Sequence, residues 1–313
     1  MHISKVILFF ICGMFTLHAQ IDTNKVNELN KLADVYEQQG NYPTSKNYAD
    51  QALQLAQQLN FKRGEASALN NLGLIQYNQG NLSEALNFYT SSYKICKDLN
   101  YKNGITSFFC NTGLVYIDLE NYNEAIIKYI TALKIYQAIH NQVGEALCYN
   151  YLGFVYGKQQ KFTKALAYHN MAVKIREQLN DTFALADSYQ NIGYVYYCKQ
   201  DFTQALPYYN LALLLNQQTN NASAQAYAYT WLGNVYAALN NQTEAIKNYL
   251  AALKINQQLN NIDDMVELYS FISQAYSQIQ DYTEASYYKI EYQKLTEKLN
   301  PTKYYSTKNY FTN

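Results

Sequence analysis

Side chains able to do acid-base, nucleophilic or metal chemistry are few in this chain, and they are scattered. Beyond residue 20 there are two histidines, His140 and His169, and neither stands at a spacing typical of metal ligands. The cysteines beyond that point show no close pairing, which favours free, buried thiols over disulfides: Cys96, Cys110, Cys148 and Cys198. The sequence therefore predicts no metal site, no cofactor and no enzymatic activity.

Carboxylates occur mostly where helices are predicted to begin, as at Glu84, Glu124, Glu244 and Glu284. A negative charge at that place offsets the helix dipole, so these residues are interpreted as helix-stabilising and not as acid-base pairs. The formal net charge is zero and no basic stripe stands out, which argues against a nucleic-acid partner.

The first 19 residues are predicted to be a signal peptide. Lys5 supplies a basic start, an apolar run extends from Val6 to Leu17, and Ala19 is a small residue for cleavage. The alternative, a buried N-terminal helix, is disfavoured because the run lacks a polar face. The sequence thus predicts an exported protein, periplasmic or secreted. No later apolar run is long enough to span a membrane in the mature chain.

The rest of the chain repeats itself every 40 residues without a gap. A glycine column is bounded by Ala33 and Ser273 and contains Gly73, Gly113, Gly153, Gly193 and Gly233. Three residues later a tyrosine column contains Tyr36, Tyr116, Tyr156, Tyr196, Tyr236 and Tyr276. Twelve residues after the glycine an alanine column contains Ala85, Ala125, Ala165, Ala205, Ala245 and Ala285. Copies close on an asparagine, or on His140 in one case.

Each copy has two stretches of apolar residues at helical spacing around a polar turn, which predicts a helical hairpin. Glycine inside a helix costs about 1 kcal/mol relative to alanine, so a register of glycines implies close packing between helices. The alanines would let the second helix nest against its neighbours. The tyrosine column would fill the wedge between the helices.

The pattern of Leu72-Gly73, Ala85 and Tyr89, and of Leu152-Gly153 with Tyr156 in the fourth copy, resembles the tetratricopeptide repeat. The 40-residue step is similar to the long-helix variety found in kinesin light chains and mitotic-spindle adaptors. The resemblance implies an all-α, right-handed superhelical solenoid of seven hairpins whose first helices form the concave wall. After a lead-in at 20–23, the predicted copies span about 24–60, 64–100, 104–140, 144–180, 184–220, 224–260 and 264–299, followed by a tail at 300–313.

Function is expected on the concave wall. Positions six and three residues before the glycine, and one and four after it, share one face of the first helix. That face is apolar and aromatic with amides interspersed, so it could bind an extended peptide with apolar or aromatic side chains. Its candidate binding residues are Asn70, Asn150, Phe154, Tyr194, Tyr197 and Tyr227.

An asparagine stands two residues before the glycine at Asn71, Asn111 and Asn191. The resemblance implies that these amides bond the main chain of a bound segment. The alternative is that they are solvated polar residues. The sixth copy has Trp231 there, the single tryptophan, which is either a binding residue or ordinary packing. The same two interpretations apply to Tyr194 and Tyr197.

Two functions remain open on the sequence. The first is an exported scaffold that binds an extended segment of another protein. The second is the sensor region of a signalling system whose output domain is on another chain or missing. An enzyme built into the repeats is the least favoured class, because the histidines are isolated and the carboxylates stand mostly at turns and helix starts.

Overall fold

A computed structural model describes residues 22–299 of the chain. The predicted signal peptide and the C-terminal tail lie outside the described residues. Within that range all regular secondary structure is α-helical, and the helices follow each other at a step of 20 residues. The predicted fold class, an all-α array of seven hairpins, is confirmed.

Each hairpin consists of a first and a second helix joined by a short turn. The first helices are α1 (22–38), α3 (Lys62–Asn78), α5 (Lys102–Asp118), α7 (Gln142–Lys158), α9 (Thr182–Cys198), α11 (Ala222–Ala238) and α13 (Ile262–Gln278). The second helices are α2 (Tyr42–Gln58), α4 (Leu82–Asp98), α6 (Tyr122–Ala138), α8 (Phe162–Gln178), α10 (Phe202–Gln218), α12 (Gln242–Leu259) and α14 (Tyr282–Leu299).

The turns explain why each copy closes on an asparagine. Every twentieth residue from Gly40 to Gln280 has a positive φ, for example 51° at Asn60 and 81° at Gly80. This left-handed conformation is easiest for glycine and is tolerated by asparagine. At Asn60 it lets the next N–H, that of Phe61, donate to the carbonyl of Ala56 at 2.8 Å, which ends α2 in a Schellman motif.

The described residues divide into two compact units, the first ending at Val155 and the second beginning at Tyr156. In the first unit α3 packs against α4 and α4 against α5, and in the second unit α9 packs against α10 and α10 against α11. The alanine column forms the contact surface of the second helices, since its members are at most 5% exposed. None of the helices in residues 22–299 is long and apolar enough to cross a membrane.

The structure corrects the role expected for the tyrosine column. Tyrosines of this column are half-buried, and four of them stack on a tyrosine of the second helix, as Tyr196 does on Tyr208 at 5.4 Å between ring centroids. A different set of tyrosines, sixteen residues after the glycine, is at most 3% exposed and lies against the glycines: Tyr89, Tyr129, Tyr209 and Tyr249. The column three residues after the glycine was expected to fill the space between the helices. That space lies directly at the glycine, which has no side chain, and a tyrosine from the second helix occupies it.

Three of the four cysteines in the described residues are buried and unbridged, as expected. Cys198, at the end of α9, is exposed, which corrects the expectation of a buried thiol there. The reason is its position in the last turn of a first helix, one residue after Tyr197.

Candidate functional site

An aromatic cluster in the second unit brings together four of the predicted binding residues. Trp231 of α11 has the rings of Tyr194 and Tyr197 edge-on at 5.2 Å each, and that of Tyr227 edge-on at 6.1 Å. Tyr209 of α10 stacks on Trp231 at 5.8 Å with an interplanar angle of 3°. We call these five residues the Trp231 cluster.

Helical spacing explains how these rings meet. Tyr194 and Tyr197 are three residues apart on α9, and Tyr227 and Trp231 are four apart on α11, so each pair shares one face of its helix. Tyr209 comes from α10, which packs against both α9 and α11. Two first helices and the second helix between them therefore build one continuous aromatic surface.

The cluster extends from a buried floor to an exposed rim. Tyr209 is fully buried, whereas Tyr227 is 48% exposed. The Tyr209 hydroxyl has no hydrogen-bond partner, and its near electrostatic neighbours include the hydroxyls of Tyr227, Tyr194 and Tyr197. Burial, and then those neighbours, raise the pKa of Tyr209 above its ordinary value. The hydroxyl is thus a neutral polar group facing the rest of the cluster.

Charged side chains border the cluster. The ammonium of Lys158 lies 6.0 Å from the ring centroid of Tyr194, within cation–π range. Asp187 of α9 has its pKa raised, chiefly by burial, while the charge of Arg176 lowers it. The pKa of Glu267 on α13 is raised by burial and then by the charge of Asp264. Asp187 is half-buried, whereas Glu267 is exposed.

In the first unit the predicted asparagines connect neighbouring first helices. Asn71 is 7% exposed, and its Nδ2 donates to the backbone carbonyl of Asn30 on α1 at 3.0 Å. Nδ2 of Asn111 on α5 donates to Oδ1 of Asn70 on α3 at 2.9 Å. Amides predicted to bond a bound segment here each use at least one N–H within the protein itself.

A polar cleft of about 360 Å³ lies beside these amides. Its lining comes from α1, α3, α5 and the end of α4, and includes Asn30, Asp34, Asn70, Asn71 and Ser107. Burial, and then the charge of Glu37, raise the pKa of Asp34 to about 6, against a hydrogen bond from Asn71 that lowers it. This cleft can take small polar groups, in contrast to the aromatic surface of the second unit.

The other predicted residues are half-buried on first helices: Asn150 and Phe154 on α7, and Asn191 on α9. Each interacts with another part of the protein.

The side chains that commonly bind metal ions are not grouped in the described range. Residues 22–299 contain no group of three or more His, Cys, Asp or Glu side chains arranged to hold a metal ion. His169, in α8, is 1% exposed, and burial, followed by the charge of Arg176, lowers its pKa to about 3. That imidazole is therefore neutral at pH 7 and belongs to the core.

Comparison with known proteins decides the family. The tetratricopeptide repeat model matches residues 26–98, 107–178 and 182–258, which together make up more than half of the chain. The chain belongs to the tetratricopeptide repeat family. The resemblance inferred from the repeat columns is thereby confirmed. A search of curated proteins gave no match.

Several solved structures share this tetratricopeptide fold. The kinesin light chain repeats of Podospora anserina align with a TM-score of 0.53 at 12% identity, over 61% of this chain and 94% of that one. A Rap protein complexed with competence and sporulation factor aligns with a TM-score of 0.53 at 15% identity, over 90% and 99%. A signal transduction ATPase with a tetratricopeptide repeat sensor, from Pyrococcus horikoshii, aligns with a TM-score of 0.67 at 18% identity, over 89% and 42%.

Two members of the site were missed in the sequence. Tyr209 belongs to a column sixteen residues after the glycine, in which a tyrosine recurs at a 40-residue period. Glu267 stands 40 residues after Tyr227, in the column six residues before the glycine, and its register was also available. Neither column distinguishes a binding role from a packing role. A column of equivalent residues indicates which face of a helix they share, but not which side chains of other helices lie opposite.

Proposed function

We propose that this tetratricopeptide repeat protein is an exported scaffold that binds an extended segment of another protein on the first-helix face of its second unit. The observation that carries the proposal is the Trp231 cluster. Large aromatic rings with a buried floor and an exposed rim are the side chains that dominate binding energy at protein interfaces. Tyr227, 48% exposed at the rim, leaves ring surface that a bound segment would cover.

Export is part of the proposal and rests on the predicted signal peptide at residues 1–19. The Rap structure, which is similar in fold and was solved with competence and sporulation factor, supports ligand binding by such a fold. Apolar or aromatic side chains of the segment would pack against Trp231 and Tyr227. Asn191, on the same helix as Tyr194, would hydrogen-bond its main chain.

The test is an unbiased selection. The chain beginning at Gln20 is immobilised and challenged with a displayed library of random twelve-residue peptides, in parallel with the Trp231→Ala variant and with a Trp231→Phe control. We expect peptides that bind the wild-type chain and the control and that bind the alanine variant at least about tenfold more weakly, the scale of an interface hot spot. A library that yields no such peptide would refute the proposal.

A second candidate function is supported by the sensor-containing ATPase, of which this chain matches 42%. In that case the protein would be the sensing part of a signalling system and would pass its bound state to a separate output protein. The two candidates differ in a measurable way, because a sensor requires a second partner whose binding depends on the first. Unchanged affinity for every captured protein with and without a selected peptide excludes the sensor.

A further inference from the structure

A row of three residues, with Tyr227 of the Trp231 cluster at its centre, crosses the first helices of the second unit. Asp187 of α9, Tyr227 of α11 and Glu267 of α13 stand 40 residues apart in the same column, so the tyrosine has a carboxylate on the helix to each side. Burial raises the pKa of Tyr227, the charges of Asp187 and Glu267 raise it further, and a hydrogen bond with Trp231 lowers it. The two carboxylates are therefore electrostatic neighbours of one exposed ring.

The charges of these helices are one-sided. Helices α9, α11 and α13 contain four acidic residues and no lysine, arginine or histidine: Asp187, Asp263, Asp264 and Glu267. None of the ion pairs in residues 22–299 includes any of the four. Arg176 is near Asp187, but its guanidinium donates to the carbonyl of Ala184 and to Oγ of Ser188, at 2.5 and 2.6 Å.

The same surface already holds a cation at its edge. The Lys158 ammonium lies 6.0 Å from the centroid of the Tyr194 ring, at the outer limit of a cation–π contact. At the floor, the Tyr209 hydroxyl is fully buried without a hydrogen-bond partner and has Tyr227 as its first electrostatic neighbour. The site thus offers aromatic faces and two carboxylates.

We infer that the segment bound by this face carries a basic side chain, arginine above all, which lies on the Tyr227 ring between Asp187 and Glu267. This rests on the proposed function and names the chemistry of its partner. A guanidinium is planar, stacks on an aromatic face and offers donors along its edge to a carboxylate on either side. A glutamate or aspartate placed on the Tyr227 ring would instead meet two like charges, which disfavours an acidic side chain at that position.

The experiment compares the amino-acid composition of the peptides that are selected on three variants of the chain. Wild-type chain, the Asp187→Asn/Glu267→Gln double variant and a charge-matched Glu84→Gln/Glu244→Gln control are each challenged with the same random library. We expect arginine and lysine to be enriched over aspartate and glutamate on the wild type and the control, and the enrichment to disappear on the first variant. Circular dichroism confirms that all three chains are folded.

A second measurement tests whether an arginine of the peptide contacts Tyr227, Asp187 and Glu267. In the strongest wild-type binder each arginine is replaced in turn by citrulline, which keeps the shape and removes the charge. One replacement should weaken binding about tenfold on the wild type and have no effect on the double variant. Tyr227→Leu, which keeps apolar bulk and removes the ring, should abolish the same difference.

The outcomes separate the two proposals. Binders that depend on Trp231 but are neutral or acidic would overturn the basic partner and leave the scaffold function standing. Enrichment of basic residues that survives the Asp187→Asn/Glu267→Gln change would also overturn it. A library without any binder that depends on Trp231 would remove the proposed function, and the basic partner with it.

Discussion

The ring of Tyr209 lies against the backbone of Gly193, so closely that a methyl group on that glycine would come within 3.0 Å of ring atom Cε2. The two residues are on opposite helices of one hairpin. Gly113 and Tyr129 have the same relation at 2.6 Å from Cζ, and so do two further hairpins. The glycines persist inside helices because each one makes the space that a buried tyrosine occupies.

This relation predicts that Gly113→Ala destabilises the protein, although the same change normally stabilises a helix. The added methyl would clash with Tyr129, which is fully buried and has no room to move, at a cost of about 1–3 kcal/mol. Chemical denaturation measures the free energy of unfolding.

The matched control is Gly157→Ala, also within a first helix, where the nearest atoms to the new methyl are 3.7 Å away. We expect it to gain about 1 kcal/mol, the ordinary helix propensity difference. Equal gains at both positions would show that the glycine column has no packing role.

The turn residues give an opposite prediction. Glu120 has a φ of 55° in a turn where the second repeat has Gly80, so Glu120→Gly relieves a left-handed strain of about 1–2 kcal/mol at some cost in chain entropy. A net gain of up to about 1 kcal/mol is expected in thermal or chemical unfolding. Gly80→Ala, where no atom lies within 4 Å, should lose about 1 kcal/mol through backbone strain alone. Identical stabilities for the three chains would contradict the assignment of these turns.

His169 predicts a pH dependence of stability. Its pKa is lowered from 6.5 to about 3 in the folded chain, so below pH 6.5 the unfolded chain binds a proton that the folded chain does not. Folding stability from this group is therefore lost as the pH falls, by about 1.4 kcal/mol per pH unit. Asp34, whose pKa is raised in the folded chain, has the opposite effect on stability as the pH falls. Its contribution cancels when the wild type is compared with a variant at His169.

The measurement is the stability difference between the wild type and His169→Gln at pH 7 and at pH 5. It should shift by about 2 kcal/mol in favour of the variant at the lower pH. A difference that does not change with pH would mean that the imidazole is solvated.

Asn71 is predicted to matter for stability as well as for any bound segment. Asn71→Ala removes the bond to the Asn30 carbonyl from a side chain that is 7% exposed, at about 1 kcal/mol. The exposed Asn103→Ala, on the next first helix, should change the unfolding free energy by less than about 0.5 kcal/mol. Equal effects would show that the amide of Asn71 is solvated.

The sequence predicted the helices, their hairpin order and the family because a 40-residue period repeats the same packing problem in every copy. The sequence did not predict contacts that depend on which side chains of another helix lie opposite. Tyr129 and Tyr209 fill the glycine wedge, while Tyr196 stacks on Tyr208, and the columns alone do not distinguish these cases. The Trp231 cluster was predicted as four separate candidates, since contact across α9, α10 and α11 requires coordinates. Asn71 and Asn111 bond neighbouring helices, which a column of asparagines does not reveal.

Trp231 provides the most direct test of binding at this surface, because it is the only tryptophan in the chain and reports from the centre of the cluster. A selected peptide is titrated into the chain beginning at Gln20, and the emission of Trp231 is compared with the binding curve from calorimetry. We predict a saturable change in emission with the calorimetric affinity, and its loss in Tyr227→Ala. Full calorimetric binding with unchanged emission would place the partner elsewhere and contradict the proposed surface.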